Sequence, residues 1–177
     1  MSPTALVTSP GADASLAAPG ALPLRRLAQL LAAYTPHDGR FELRLPGTFA
    51  VRLSQISTEP MYASVGPALC VVAQGAKAVM LGSEVFEYDP ARMLVFAVDL
   101  PVSGQVIRAS RTSPYLCFVL RLDPTRVADL PARVFPRGVP KTSDDRGLYT
   151  GQATDGIVEA ITRLLDFVAQ PSDAEAY

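Results

Sequence analysis

The chain has 177 residues, of which 49% are hydrophobic and 19% charged, a composition that excludes disorder along the whole chain and allows one buried core. Its 16 basic and 17 acidic side chains give a formal net charge of −1, which argues against direct DNA binding because such surfaces need excess Lys and Arg. With His37 as the single histidine, a metal site with two or more histidine ligands from one chain is excluded.

The first elements are a tail and a helix. Fifteen of the first twenty residues are Ala, Pro, Gly, Ser or Thr, so residues 1–20 are predicted to be a flexible tail. A helix is predicted from Pro23, with leucines at helical spacing, and it ends before Pro36. His37 falls in the exit loop and is given no catalytic role.

From residue 41 to residue 122 the hydrophobic pattern changes from helical to strand-like. Short runs alternate with turn residues, and Gly82-Ser83-Glu84 is typical of a hairpin loop. Because no helical pattern interrupts the runs, an all-β sandwich or barrel is predicted. The predicted strands cover residues 41–45, 49–54, 69–73, 79–81, 85–88, 93–98, 105–109 and 115–122.

Helices are predicted again near the end of the chain. Asp123-Pro124 opens a short helix that is expected to cover Val127 and Leu130, and residues 131–147 are predicted to be a loop. A further helix is predicted from Thr154 to Pro171. Its apolar stripe favours packing on the barrel, with a self-association face as the alternative. The stripe consists of Ile157, Ile161, Leu164, Leu165 and Val168.

Signals for catalysis and for membrane insertion are weak. The sequence has neither a phosphate-binding glycine loop nor a GxSxG motif, so no enzyme is predicted. Cys70 and Cys117 lie in apolar runs without a CxxC pair and are predicted to be buried free thiols. No stretch reaches the roughly 20 apolar residues of a membrane span, and the N-terminus lacks a signal-peptide pattern. A cytoplasmic protein without a membrane partner is predicted.

One segment carries a specific resemblance. Residues 67–109 contain Leu69-Cys70, Gln74-Gly75, Lys77 and Leu81-Gly82, and continue with Val85-Phe86-Glu87-Tyr88-Asp89-Pro90, Val98-Asp99-Leu100-Pro101-Val102 and Gly104-Gln105-Val106. Leu122-Asp123-Pro124 follows later. This pattern resembles the N-terminal domain of AraC-type transcriptional regulators, over roughly residues 24–170.

The resemblance implies a mainly β fold: a cupin-like double-stranded β-helix, or jelly-roll barrel, with an N-terminal helix and C-terminal helices. It implies a small-molecule effector inside the barrel and a homodimer formed through the helices. DNA would be bound only through helix-turn-helix units that are absent from residues 1–177. The expected division is a tail, 1–20, which is a candidate arm over the pocket, and a sensor domain, 21–177.

Two other classes of protein stay open. Cupins include metal enzymes such as isomerases and dioxygenases, whose ligands would fall near residues 59–65 and near Gly104 or Gln105. None of these positions is a histidine, and Glu59 alone cannot hold a catalytic metal, so no metal or other cofactor is predicted. The third class is a stand-alone interaction module without an effector.

The candidate ligand-binding residues follow from the predicted barrel. In the strand 115–122, Leu116, Phe118, Leu120 and Leu122 share a face that is expected to point inward. Plain core packing is the alternative for every candidate, and a reactive Cys70 is disfavoured because apolar flanks raise a thiol pKa. Gln105 is expected near the barrel mouth, where it would orient a ligand. The candidates are Met61, Cys70, Phe96, Gln105 and Phe118.

Overall fold

A computed structural model describes residues 21–90, 92–134, 136–137 and 147–169. The predicted tail, 1–20, lies outside the described residues. The helices are α1 (Ala21–Tyr34), α2 (Pro124–Val134) and α3 (Asp155–Ala169). The strands are β1 (Gly39–Glu42), β2 (Thr48–Leu53), β3 (Met61–Val65), β4 (Ala68–Gln74), β5 (Ala76–Leu81), β6 (Glu84–Tyr88), β7 (Arg92–Phe96), β8 (Leu100–Arg108), β9 (Tyr115–Arg121) and β10 (Leu148–Gln152).

The strands form two antiparallel sheets that face each other. The six-stranded sheet has the order β1-β2-β9-β4-β7-β10, and the four-stranded sheet has the order β3-β8-β5-β6. Side chains of both sheets meet in one buried cluster, for example Val72 and Leu94 from one sheet with Val79 and Val106 from the other. The predicted mainly β, cupin-like double-stranded β-helix is therefore confirmed.

Two helices cover the outer face of the six-stranded sheet. Leu27 and Leu31 of α1 pack with Ile161 and Leu165 of α3 and with the outward side chains of β2, β4 and β9. The Tyr34 hydroxyl donates a hydrogen bond to the Leu165 carbonyl at 3.0 Å, which joins the two helices. The apolar stripe of α3 thus packs on the barrel, the first of its two predicted alternatives.

The helix boundaries agree with local chemistry. Helix α1 begins two residues before Pro23 and ends at Tyr34, where the Thr35 hydroxyl donates to the Leu31 carbonyl at 2.8 Å. His37 lies exposed in the exit loop, as predicted. Helix α2 begins at Pro124, as predicted, and includes Val127 and Leu130, whose side chains are 39% and 48% exposed.

Two strands escaped the sequence-based prediction. Strand β3 is exposed along most of its length, so it lacks the alternation that marks a half-buried strand. Strand β10 follows a segment predicted to be a loop, and it carries a glycine at Gly151. Both strands are specified by pairing with distant partners: β3 with β8, and β10 with β7. Strand β1 also lies earlier than the predicted 41–45, at Gly39–Glu42.

None of the described helices combines the length and the apolarity that a bilayer crossing requires.

Gly75 allows the chain to pass from one sheet to the other. It is the single residue between β4 and β5, and its φ of +80° is a conformation that favours glycine. A Cβ atom at this position would lie 2.6 Å from the Arg108 carbonyl oxygen and 2.8 Å from the Tyr115 Cα atom. Gly82, in the two-residue turn between β5 and β6, also has positive φ, at +59°, but a Cβ atom there would meet nothing within 4 Å.

The paired substitutions Gly75→Ala and Gly82→Ala separate the cost of a positive φ from the cost of steric overlap with neighbouring backbone. Gly82→Ala carries only backbone strain, so its free energy of unfolding is expected to fall by about 1 kcal/mol. Gly75→Ala adds backbone collisions, and we expect a loss of about 3 kcal/mol or failure to fold. Urea unfolding of both variants measures the difference. Equal losses would show that the close approach at Gly75 is relieved without cost.

Candidate functional site

Strands of both sheets line a partly open cavity of about 350 Å³, which we call the inner cavity. Each described strand except β10 contributes to its wall. The wall is mostly aliphatic, with Val51 from β2 facing Val79 and Val102 from the four-stranded sheet. Its volume is at the small end of the roughly 300–1,000 Å³ range of ligand sites. The inner cavity is the natural candidate for a binding site in this fold.

Three of the five candidate residues come together at this cavity. Met61, Cys70 and Phe96 all line it, on β3, β4 and β7. Met61 is 53% exposed and lies at the rim, whereas Cys70 and Phe96 are buried. Their role in ligand binding stays a prediction.

Phe118 does not line the inner cavity. It is buried beneath α1 and α3, on the same face of β9 as Leu116 and Leu120, so the predicted inward face of this strand is wrong. The inward side chains are those of the alternate positions, among them Cys117 and Val119. Strand β9 is central in a sheet that is covered on both sides, and both of its faces are therefore apolar. Alternation could not distinguish them.

Gln105 is also absent from the cavity wall. Its side-chain amide donates a hydrogen bond to the Ser57 carbonyl at 2.9 Å, while the Ser57 hydroxyl accepts one from the Val106 amide at 3.1 Å. These contacts attach the segment before β3 to β8. The Gln105 amide therefore has a structural partner away from the cavity, and the expectation that it orients a ligand is not supported by its position.

A buried polar cluster lies on the inward face beside the cavity. The hydrogen bond between Cys70 and Cys117, and next the burial of the site, raise the pKa of the Cys70 thiol well above its usual range. Burial likewise raises the pKa values of Tyr88 and Tyr115, and the Tyr115 hydroxyl donates to the Tyr88 oxygen at 3.4 Å. A thiol held in its protonated form is a poor nucleophile, which argues against a reactive Cys70.

Two cations also face the inner cavity. Arg40 lies at its rim, with the guanidinium carbon 3.7 Å from the centre of the Phe49 ring. Burial and then the neighbouring Arg121 lower the pKa of Arg40. Lys77 projects from β5 into the wall. Sequence reasoning missed both residues, although a lysine inside the apolar run Ala76–Leu81 was a visible signal.

An adjoining cavity of about 490 Å³, the outer cavity, shares Arg40, Cys70 and Val119 with the inner one. Its wall adds the exposed side chains of Arg121 and Asp99. A molecule that enters the inner cavity through the outer cavity would therefore pass charged side chains.

Metal-binding groups are not assembled at this site. Within the part of the chain that the structure describes, no three His, Cys, Asp or Glu side chains come together as a metal site. Glu59 is exposed, and the inner wall offers one thiol but no carboxylate or imidazole among its described residues.

The sequence profile of the family described as AraC-type transcriptional regulator N-terminus matches residues 44–177, which is more than half of the chain. The chain belongs to this family. No curated protein matches it in sequence.

Solved structures give the fold of this AraC-type domain a parallel. ToxT from Vibrio cholerae O395, bound to (E)-4-(8-methylnaphthalen-1-yl)but-3-enoic acid, is similar at 11% identity and a TM-score of 0.51, covering 72% of this chain and 50% of that chain. A second ToxT structure, also from Vibrio cholerae O395, has 10% sequence identity and a TM-score of 0.50, and the match covers 72% of this chain and 48% of that chain. A cupin domain of Cnp3 from Schizosaccharomyces pombe has 11% identity and a TM-score of 0.39, and the match covers 52% of this chain and 68% of that chain. The chain spans about half the length of the ToxT chains, and these identities show the fold alone.

Both thiols of the AraC-type domain are expected to be inert while it is folded. Because Cys70 and Cys117 are buried, a disulfide reagent should label them only when the domain opens. Val85→Cys places a thiol at a 59% exposed position and is the control, which should react at once. Labelling is followed by absorbance and mass spectrometry. Reaction of Cys70 as fast as the Val85→Cys thiol would restore the reactive-cysteine alternative.

Proposed function

We propose that this chain is the effector-sensing part of a cytoplasmic transcriptional regulator, and that a small molecule binds in its inner cavity without a metal. The observation that carries the proposal is the mostly apolar cavity lined by strands of both sheets. Family membership supports a regulatory role, and the ligand named for ToxT supports a small-molecule effector. DNA binding would belong to a part of the regulator outside residues 1–177, and the tail 1–20 stays a candidate arm over the pocket.

A short connection joins the wall of the inner cavity to helix α1. Strand β1 lines the cavity through Gly39 and Arg40, and only four residues separate it from the end of α1. In this connection Asp38 accepts two hydrogen bonds from Ser54, which lower the pKa of its carboxyl group, and Arg52 donates to the Thr35 carbonyl at 3.2 Å. A ligand that contacts β1 would bias the position of α1, and hence of the helical layer that it forms with α3.

An enzymatic role is not favoured. General acid–base catalysis most often uses a histidine or a carboxylate, and metal-assisted catalysis needs several metal ligands that face the substrate together. The described wall of the inner cavity brings none of these together.

Pairing with a second copy is part of the same proposal. Val127, Leu130 and Val134 of α2 are spaced to share one helix face and are 39%, 48% and 63% exposed. Exposed apolar side chains at helical spacing are typical of helix–helix contacts between subunits.

This pairing can be tested by sedimentation velocity. The unaltered chain should sediment as a dimer, and Leu130→Glu should dissociate it into monomers. An unchanged sedimentation coefficient in Leu130→Glu would exclude α2 from the contact.

Filling the cavity tests the sensing function directly. Val51→Phe and Val65→Phe add volume to the wall, while Val85→Phe adds it at an exposed position outside the wall. A ligand that binds only the folded state raises its Tm. In a panel of small apolar alcohols, amides and acids, a binder should stabilise the unaltered chain and Val85→Phe but neither filled variant.

The folded state of each variant is checked by circular dichroism before the panel is measured. A binder that stabilises the filled variants as strongly as Val85→Phe would place the ligand elsewhere. A panel in which no compound raises the Tm of the unaltered chain would count against the sensing function.

A further inference from the structure

Lys77 is placed inside the barrel by the alternation of β5. It shares the inward face with Val79, which belongs to the buried cluster between the sheets, and it lines the inner cavity half-buried. Gly104, on the neighbouring strand β8, leaves room for it. A Cβ atom at Gly104 would lie 2.8 Å from the Lys77 Cε atom and 3.1 Å from its Nζ atom. The lysine stem therefore lies across a gap that a glycine leaves open.

The ammonium group of Lys77 has no anionic partner among the described residues. Elsewhere in the described chain, cations such as Arg26, Arg52 and Arg108 each lie within 4.0 Å of an aspartate carboxylate. No such contact is present at Lys77. The other cation on the inner wall, Arg40, already lies over the Phe49 ring. Within the described part of the chain, Lys77 is thus a cation that lines a mostly apolar cavity without an anionic partner.

Charged groups in apolar surroundings are normally paired, because an unpaired charge loses its hydration without compensation. The described wall of the inner cavity contains no Asp or Glu that could serve Lys77. It also contains no Ser, Thr, Asn or Gln, and its one hydroxyl, that of Tyr88, already accepts a hydrogen bond from Tyr115, so it offers few neutral groups for the hydroxyls of a sugar. The wall suits a molecule with an apolar body and one acidic group.

We propose that the inner cavity binds small amphipathic acids, whose carboxylate pairs with Lys77 and whose apolar part packs against the aliphatic wall. This inference rests on the proposed sensing function and names the chemical class of its effector. The carboxylate would gain charge-assisted hydrogen bonds from the ammonium group, which are stronger than those between neutral groups. A divalent cation would be repelled by Lys77 and Arg40 together.

Octanoate, octanamide and 1-octanol test the proposal, because they share one alkyl chain and differ in the head group. Calorimetric titration of the full 177-residue chain is expected to give a dissociation constant for octanoate at least about tenfold below that of octanamide. In Lys77→Met, which keeps the length of the stem, octanoate should weaken by about tenfold or more while octanamide changes little. Arg126→Met removes the same charge from an 89% exposed side chain and should leave both values unchanged.

Two further variants separate a binding role from a structural one. Lys77→Arg keeps the charge and should retain the preference for octanoate over octanamide. Gly104→Ala keeps the lysine but displaces its ammonium group, and it should reduce the preference. Because Lys77 has no anionic partner among the residues that the structure describes, Lys77→Met is expected to leave the Tm of the ligand-free chain unchanged.

The result that overturns the proposal is an octanoate affinity no higher than that of octanamide, or one that Lys77→Met leaves unchanged. If 1-octanol or octanamide then still binds and the cavity-filling variants abolish its binding, the sensing function stands and only the acidic ligand class is wrong. If none of the three compounds binds, this inference fails, and the wider panel measured on the cavity-filling variants decides the sensing function separately.

Discussion

The six-stranded sheet must bury both of its faces, and the rest of the structure depends on this constraint. Its outward side chains, such as Val71 and Phe118, pack beneath α1 and α3. Its inward side chains, such as Val72 and Cys117, pack against the four-stranded sheet. The helices α1 and α3 bury the outer face of the six-stranded sheet, and its inner face lines the inner cavity. Burial of apolar surface on both sides supplies the main stabilisation of such a layered fold.

The same constraint explains which features the sequence could reveal. Short strands with turn residues between them, the helix before Pro36 and the stripe of α3 all follow local periodicity, and the structure contains them. In a strand that is apolar on both faces, the hydrophobic pattern does not show which face points into the barrel, so the predicted inward position of Phe118 on β9 is wrong. Strand β3 is exposed and is specified only by its pairing with β8. Such long-range partners cannot be read from a local window.

The candidate site was predictable in part for a related reason. Cys70 and Phe96 belong to apolar strands that had to contribute to the core, and they also reach the cavity. Lys77 was overlooked because a charged residue in a strand is ordinarily assigned to solvent. Its placement needs the alternation of β5 together with the space left by Gly104 on β8, which only the assembled sheet supplies. Residues quoted for the family resemblance, Cys70, Lys77, Tyr88 and Gly104, thus meet at one cavity.

In the proposed function, an effector occupies the space between the two sheets and not the interface between the helices and the six-stranded sheet. The most direct measurement is a set of intermolecular nuclear Overhauser effects between octanoate and the methyl groups of the chain. Contacts are expected from the ligand to the methyl groups of Val51, Val79 and Val102, which line the inner cavity. Contacts confined to Leu165 and Val168, the α3 side chains that pack on the outer face of the six-stranded sheet, would contradict this placement.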